Sequence, residues 1–375
     1  MNMKRIFMLL LALVTMVAGV RAQDMTATPL TFEAVEAGTI TVNLDDGVTF
    51  NPIQYNLNNT GWTDVTWESP IVLVANDVIC FRGDNGTCYA TDEMNYWAGF
   101  HFEPSNPVYV YGNMMSLIDK DGFATNTTLT ETYTFFHLFQ RSDYEPNTAI
   151  LNHPTKDIVL PATTLTAYCY DGLFADAPNI SRAPELPATT LADWCYSEMF
   201  SGTAITTAPE LPATTLAPSC YADMFMNCTN LTTAPDLPAA TLVEGCYSSM
   251  FAGCTSLNYV KCLATDISAD YCTSGWMWNA AATGTFVKAA GMEDWTTGDD
   301  GIPAGWTAED YSAEPAKTAY AVQTQSNYYY LYFTYRSEKL EIGDSFTPEG
   351  SSESETITGL WSGDEVTNYQ AGAPW

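Results

Sequence analysis

Residues 186–210 have the sequence LPATTLADWCYSEMFSGTAITTAPE, and residues 211–236 have the sequence LPATTLAPSCYADMFMNCTNLTTAPD. Two further copies span residues 160–185 and 237–262, and a fifth begins at Leu263. Self-similarity with a period of 25 or 26 residues is typical of repeat proteins, in which each unit packs only against its neighbours. The repeat therefore predicts a stack of similar coils.

Large apolar residues recur at the same positions of every copy, which predicts that these positions form the interior of the stack. The columns are Leu165, Leu191, Leu216 and Leu242; Phe174, Phe200, Phe225 and Phe251; and Ile180, Ile205, Leu231 and Leu257. One copy buries too little apolar surface to offset the entropy lost when it becomes ordered. We therefore expect each copy to complete the core of the next.

Consecutive copies are joined by Pro-Glu-Leu-Pro or Pro-Asp-Leu-Pro, at residues 184–187, 209–212 and 235–238. Proline has no N–H to donate and biases the residue before it to an extended conformation, so a long ladder strand cannot run through these segments. We expect short strands just before them, at Thr206–Ala208 and Thr232–Ala234. We also expect a helical turn or a short helix over Ala192–Phe200.

A Cys-Tyr-x-x-Met-Phe motif recurs at residues 195–200, 220–225 and 246–251, and Cys-Thr-x-Leu follows at residues 228–231 and 254–257. This pattern, over about residues 113–306, resembles the BspA-like leucine-rich-repeat surface proteins, which carry the treponemal type of repeat. The resemblance implies a mainly β solenoid with short helical turns. It also implies adhesion, or binding to extracellular or host proteins or to other bacterial surfaces, without catalytic residues.

Residues 27–112 precede the repeats and predict a small antiparallel β-sandwich, because β-rich runs alternate there with turn clusters. The predicted strands are Leu30–Val35, Thr39–Asn43, Ile53–Leu57, Ile71–Val74, Val78–Arg82, Gly99–Glu103 and Val108–Tyr111. Residues 113–307 then form the leucine-rich-repeat region with a degenerate cap at each end. Residues 308–375 predict a short C-terminal β segment, with a hairpin of Thr318–Gln323 and Tyr328–Arg336.

Residues 1–22 have the pattern of an export signal, with a basic start, an apolar run and a small-residue cleavage site. We expect an exported bacterial protein, at the cell surface or extracellular, and not an integral membrane protein. The formal net charge of −31 excludes nucleic acid and anionic lipid as partners, because both would be repelled. An acidic surface favours cations or a basic partner.

Cysteine forms one of the repeated columns, at Cys169, Cys195, Cys220, Cys246 and Cys272. Stacked strands place neighbouring side chains about 5 Å apart, farther than the Cβ separation in a disulfide. Buried thiols are therefore the favoured interpretation. Cys80 and Cys88 flank a predicted hairpin loop, where a bridge and two free thiols are equally compatible with the sequence.

Candidate binding residues lie around the acidic column of Glu185, Glu210 and Asp236. A strip for calcium or for a basic protein is one interpretation, and solvated turn carboxylates are the other, favoured one. No calcium loop with full spacing is present, and no cofactor is predicted. The candidate partner-binding residues are Thr206, Thr207, Glu210, Thr232, Thr233 and Asp236.

An enzyme is not predicted, because the chain has only three histidines and no nucleophile, zinc or phosphate-loop motif. The alternative to protein binding is carbohydrate binding by the N-terminal domain. Aromatic rings among turn residues could stack on sugars there, although such rings more often pack in the core. These rings belong to Trp62, Trp67, Tyr96 and Trp97.

Overall fold

The computed structural model describes residues 25–44, 50–86, 99–141 and 145–312, together with short strands between residues 318 and 362. The protein is mainly β with almost no helix, as the sequence predicts, and none of the described sheets closes on itself. The chain divides into two compact units, Met1–Asp310 and Tyr311–Trp375. The predicted export signal and the residues Tyr96, Trp97 and Cys88 lie outside the described part.

The described strands of the first unit are β1 (Leu30–Ala34), β2 (Gly38–Leu44), β3 (Gln54–Leu57), β4 (Thr63–Asp64), β5 (Ile71–Leu73), β6 (Val78–Arg82), β7 (Phe100–Pro104), β8 (Val108–Asn113), β9 (Ile150–Asn152), β10 (Ile158–Val159), β11 (Tyr259–Cys262), β12 (Thr285–Lys288) and β13 (Thr307–Asp310). A 3₁₀ turn, Met114–Leu117, follows β8. The seven strands predicted before residue 113 are confirmed to within two residues.

The N-terminal strands form two sheets, because their apolar residues alternate and need a partner face. One sheet has the order β10–β8–β1–β6–β3–β4, with β9 also paired to β8, and the other has the order β5–β2–β7. Phe32 of β1 and Phe81 of β6 both contact Phe102 of β7, with ring centroids 5.2 and 4.8 Å away. Side chains of the two sheets therefore meet in a shared core.

The first sheet continues into the repeat region without a packing boundary. Strands β9 and β10 pair in parallel with β8, although they follow it by about 40 residues. The ring of Phe139, in the first degenerate copy, lies 6.2 Å from that of Phe32 and 6.4 Å from that of Phe102. The change of sequence pattern at residue 113 therefore lies inside one compact unit.

Successive copies of the repeat lie on one another with their rings in register. The phenylalanine rings stack at centroid distances of 5.8, 5.8 and 5.7 Å along Phe174, Phe200, Phe225 and Phe251. A parallel file of tyrosine rings runs beside them at 5.7, 5.9 and 6.1 Å through Tyr170, Tyr196, Tyr221 and Tyr247. Both files are buried, so each ring shields its neighbours from water.

The segment that carries these rings, here called the turn segment (residues 193–202 in the second copy), is a run of turns. Alternate N–H groups donate within the copy, as Met199 does to Tyr196, and the others donate to the next copy, as Phe200 does to the carbonyl of Met224. Trp194, Glu198 and Gly202, four residues apart, have positive φ angles of 57, 51 and 70°. The predicted helical turn over Ala192–Phe200 is therefore wrong, because half of its N–H groups bond to the neighbouring copy.

The short strands predicted before the proline segments are also not formed. Thr206–Ala208 is a bend without strand pairing, and Thr232–Ala234 has a single parallel bridge, from Thr233 to Tyr259. The copies instead bridge through the threonines that follow the prolines, in the order Thr128, Thr164, Thr190 and Thr215.

The C-terminal end of the stack is a parallel three-stranded sheet, β11–β12–β13. Trp276 is fully buried, stacks on Tyr247 at 6.3 Å and on Trp295 at 5.4 Å, and is tilted against Phe251, so one wider ring covers the ends of both files. The indole N–H of Trp276 donates to the carbonyl of Gly301 at 2.8 Å. These contacts are those expected of a cap on the last copy.

The second unit has its own strands: β14 (Thr318–Gln323), β15 (Tyr328–Phe333), β16 (Ser345–Phe346), β17 (Glu355–Thr356) and β18 (Gly359–Ser362). Strands β14 and β15 pair antiparallel, which confirms the predicted pairing, and β18 pairs with the other edge of β14. The predicted turn between β14 and β15 lies outside the described residues.

Candidate functional site

The three Pro-acid-Leu-Pro segments, at residues 184–187, 209–212 and 235–238, lie in adjacent copies and are here called the proline face. Each leucine of the face is buried, with 4 % or less of its surface exposed, and each acidic residue between proline and leucine is exposed. The alternation continues into the alanine that follows, which is also buried. Each segment is therefore extended, with one side in the core and the carboxylate outward.

Shallow grooves separate the segments of the proline face. A groove of about 430 Å³ lies between residues 184–187 and 209–212, and one of about 540 Å³ lies between residues 209–212 and 235–238. A third, of about 490 Å³, lies between residues 157–161 and 182–187. The walls of the first two are proline, alanine and leucine with carboxylates at the rim, and the third is also lined by Met25, Ile158, Val159 and Arg182, so the face combines apolar contact area with negative charge.

The backbone of the proline face is open. Among the described residues, the N–H groups of Glu185, Leu186, Glu210 and Leu211 donate no hydrogen bond. The third segment differs, because the N–H of Leu237 donates to the carbonyl of Lys261 at 3.0 Å and the N–H of Leu263 donates back to Leu237 at 2.9 Å. The junction of the fourth and fifth copies, residues 261–264, has no proline, so its backbone can pair with the junction before it.

Asp157 lines the groove next to Glu185 and extends the acidic column to a row of four, and basic side chains of the chain itself occupy both ends of this acidic row. Lys261 Nζ lies 2.7 Å from Asp236 Oδ2, and Arg182 Nη2 lies 2.6 Å from Asp157 Oδ1. Between these pairs, Glu185 and Glu210 are exposed and have no basic side chain within 4.0 Å among the described residues. Two carboxylates in the middle of the row are therefore free to pair with an outside cation.

All six candidate partner-binding residues are exposed. Glu210 and Asp236 line the same groove, and Asp236 is paired with Lys261. Thr206 and Thr207 lie at the bend that leads into the second segment of the proline face, and Thr232 and Thr233 lead into the third. The structure thus brings the six residues to neighbouring positions of two adjacent copies.

The aromatic residues proposed for sugar stacking are already engaged. The guanidinium of Arg82 lies over the ring of Trp62, 4.0 Å from its centroid. Trp67 is half-buried and packs against Phe50 and Phe100, with centroids 6.4 and 5.9 Å away. In the described part, the N-terminal domain therefore presents no open pair of rings at these positions.

A different set of outward rings was missed at the sequence level. Tyr133, Tyr168 and Trp194 stack along the outside of the turn segments at 4.6 and 5.9 Å, with interplanar angles of 7°. Trp194 remains 36 % exposed, and Tyr271, in the same column, is 73 % exposed. The signal was the common position of Tyr168, Trp194 and Tyr271 one residue before each repeated Cys, and of Tyr133 before Thr134, but two copies have Ser219 and Gly245 there.

The five cysteines of the predicted column are buried and free, which confirms their interpretation as core thiols. Burial raises the pKa of Cys169 and of Cys246 to about 12, so these thiols are not nucleophilic at neutral pH. Cys80 is a free, half-buried thiol. A second pair has a structural role, because Cys228 and Cys254 donate to the carbonyls of Phe200 and Phe225, both at 3.0 Å.

Carboxyl groups of the turn segments are the other perturbed groups. Burial raises the pKa of Asp171 well above its usual value, and it also raises the pKa of Glu198 and of Asp223. The neighbouring Asp223 carboxylate raises the pKa of Glu198 further. Burial lowers the pKa of His137 to about 4. Asp171 and His137 are buried, whereas Glu198 and Asp223 are half-buried, and no described group of three or more His, Cys, Asp and Glu residues is arranged to hold a metal ion.

Comparisons of this chain with family models, with curated proteins and with solved structures found no match. Within the described residues, no helix combines the length and the apolar character that a membrane crossing would need.

Proposed function

We propose that the chain is an exported bacterial surface protein that mediates adhesion by binding other proteins, and that it is not an enzyme. In this proposal the stacked copies form a leucine-rich-repeat solenoid of the BspA-like class. The two N-terminal sheets form a sandwich that covers its first copy. The binding surface is the proline face with the exposed threonines beside it.

The observation that carries the proposal is a row of three grooves along the proline face, in which the segments 184–187 and 209–212 leave their backbone N–H groups unpaired among the described residues. Free N–H and C=O groups next to apolar walls suit an extended polypeptide, which supplies both hydrogen-bonding groups and side chains. The five thiols of the repeated column are buried, and burial raises the pKa of Cys169 and of Cys246 to about 12, so these thiols suit packing better than nucleophilic catalysis.

The test is binding of the full exported chain to a panel of extracellular matrix proteins by biolayer interferometry. The variant Thr207→Ala, Glu210→Gln, Thr233→Ala, Asp236→Asn should lose binding at least tenfold if the face is the contact surface. The control variant Asp193→Asn, Glu244→Gln removes the same two charges from exposed positions on the turn segments and should bind like the wild type. Equal binding by all three proteins would reject the proline face.

A further inference from the structure

The middle of the acidic row Asp157, Glu185, Glu210 and Asp236 lacks the basic partner that both of its ends have. Lys261 pairs with Asp236 at one end and Arg182 pairs with Asp157 at the other, at 2.7 and 2.6 Å. Glu185 and Glu210, one copy apart between them, are exposed and unpaired among the described residues. Each of the two internal ion pairs is therefore an example of a basic side chain bound to a carboxylate of this row.

The grooves beside these carboxylates fix the direction of approach. Glu185 and Glu210 line the same groove of about 430 Å³, together with Leu186, Pro187 and Pro212. Arg182 lies in the neighbouring groove, but its guanidinium also donates to the carbonyls of His153 and Lys156, so it is held away from Glu185. A cation in the central groove must come from outside the described part of the chain.

The overall charge supports the same occupant. With 44 acidic and 13 basic residues, the chain attracts a positively charged partner over a range set by the salt concentration. Guanidinium is suited to this groove, because it presents a planar fork of donors to a carboxylate and is weakly hydrated, so its flat face can lie on proline and leucine.

We propose that Glu185 and Glu210 bind two basic side chains, arginine in preference to lysine, of an extended partner segment that lies in the central groove. In an extended peptide, side chains two residues apart point the same way and are about 7 Å apart. Two arginines separated by one residue can then reach carboxylates on adjacent copies. The partner backbone lies against the free N–H groups of Leu186 and Leu211. This inference rests on the proposed function and specifies the chemistry of its partner.

The test uses the full chain and a fluorescein-labelled peptide, Gly-Ser-Arg-Gly-Arg-Ser-Gly, in a fluorescence anisotropy titration. The variant Glu185→Gln, Glu210→Gln should weaken binding about 3- to 30-fold, as expected for the loss of two exposed ion pairs. The control Asp193→Asn, Glu244→Gln has the same net charge and should change binding less than twofold. The same peptide with citrulline in place of arginine should not bind, since it keeps the shape and loses the charge.

A gain of binding is also expected. Lys261→Met removes the internal cation from Asp236 and should strengthen binding of a three-arginine peptide about 2- to 5-fold.

Equal binding of arginine and citrulline peptides, equal effects of the two double variants, or unchanged binding by Lys261→Met would each contradict the inference. If the arginine peptide fails to bind while matrix proteins still do, only this inference is overturned. If neither binds, the proposed function fails as well.

Discussion

The turn segments and the proline face belong to the same repeat, yet they connect neighbouring copies in opposite ways. In the turn segments, alternate N–H groups donate to the next copy and two files of rings stack at 5.7 to 6.1 Å. On the proline face, the N–H groups of the first two segments donate to nothing in the described part. One side of each copy therefore supports the stack, while the other remains available to a partner.

Proline is the physical cause of the difference. Two prolines in four residues remove two donors and restrict the residues before them, so adjacent segments cannot form a ladder. Where the next junction has Lys261 and Ala264 in place of the two prolines, the backbone pairs with Leu237, and β11 runs up to Cys262. The same stack therefore contains junctions whose backbone N–H groups are unpaired and one junction whose backbone is hydrogen-bonded.

The largest effect is expected from the turn segments. Phe200→Ala removes a fully buried ring that stacks on both neighbours, so it should lower the free energy of unfolding by about 3–5 kcal/mol. Glu185→Gln, on the proline face, should change it by less than about 0.5 kcal/mol. Urea denaturation followed by circular dichroism measures both. Similar losses for the two variants would mean that the two sides contribute alike.

Two glycines at the same position of different copies allow the cost of a steric clash to be measured apart from the cost of backbone strain. Gly172 and Gly275 have φ angles of 59 and 60°, but a Cβ at Gly172 would lie 2.2 Å from the ring of His137, whereas at Gly275 the nearest atom is 3.7 Å away. Gly275→Ala should cost about 1 kcal/mol, from the left-handed backbone alone. Gly172→Ala should cost about 2–3 kcal/mol more, because the buried imidazole has to move.

The measurement is again urea denaturation of the two variants beside the wild type. Equal losses would show that the first copy tolerates displacement of His137, and that the stack is less tightly packed near its start than the distances indicate.

A smaller effect is expected from the partly buried carboxyls. Burial raises the pKa of Glu198 and Asp223, so the folded chain holds a proton at a pH where the unfolded chain has released it. Their ionisation therefore destabilises the fold at neutral pH, and stability is regained as the pH falls through the raised pKa values. Glu198→Gln, Asp223→Asn should be more stable than wild type at pH 7, with the difference shrinking towards pH 4.

The comparison with wild type matters, because His137 acts in the opposite direction. Its pKa is lowered to about 4, so the unfolded chain binds that proton first and stability is lost below pH 6.5 in both proteins. Thermal unfolding curves from pH 4 to pH 8 give the difference. A variant that is less stable than wild type at pH 7 would contradict this assignment.

The sequence was informative where a local pattern decides the structure. All seven strands that the alternation in residues 27–112 predicts are observed. The repeated Phe200 and Phe225 likewise predict the buried file of stacked phenylalanine rings. It was uninformative where a neighbouring copy decides. The helical turn predicted at Ala192–Phe200 fails because alternate N–H groups bond to residues 24 positions away, which no local propensity records.

The candidate site was predicted in part. The exposed positions of Glu210 and Asp236 follow from their place between proline and leucine, and both line one groove. The pairing of Lys261 with Asp236 depends on how the end of the fourth copy lies against the end of the third, and so do the backbone hydrogen bonds at Leu237. The ring of Trp62 is covered by the guanidinium of Arg82, which lies 20 residues later in the chain, in β6.

Residue-resolved hydrogen exchange across residues 186–262 tests the central contrast most directly. The amides of Tyr196 and Phe200, which donate to the next copy, should exchange at the rate of global unfolding, and Leu237 should also be protected. The amides of Glu210 and Leu211 should exchange at least a hundredfold faster. Protection of Glu210 and Leu211 equal to that of Phe200 would contradict the account, because it would require hydrogen bonds across the proline face.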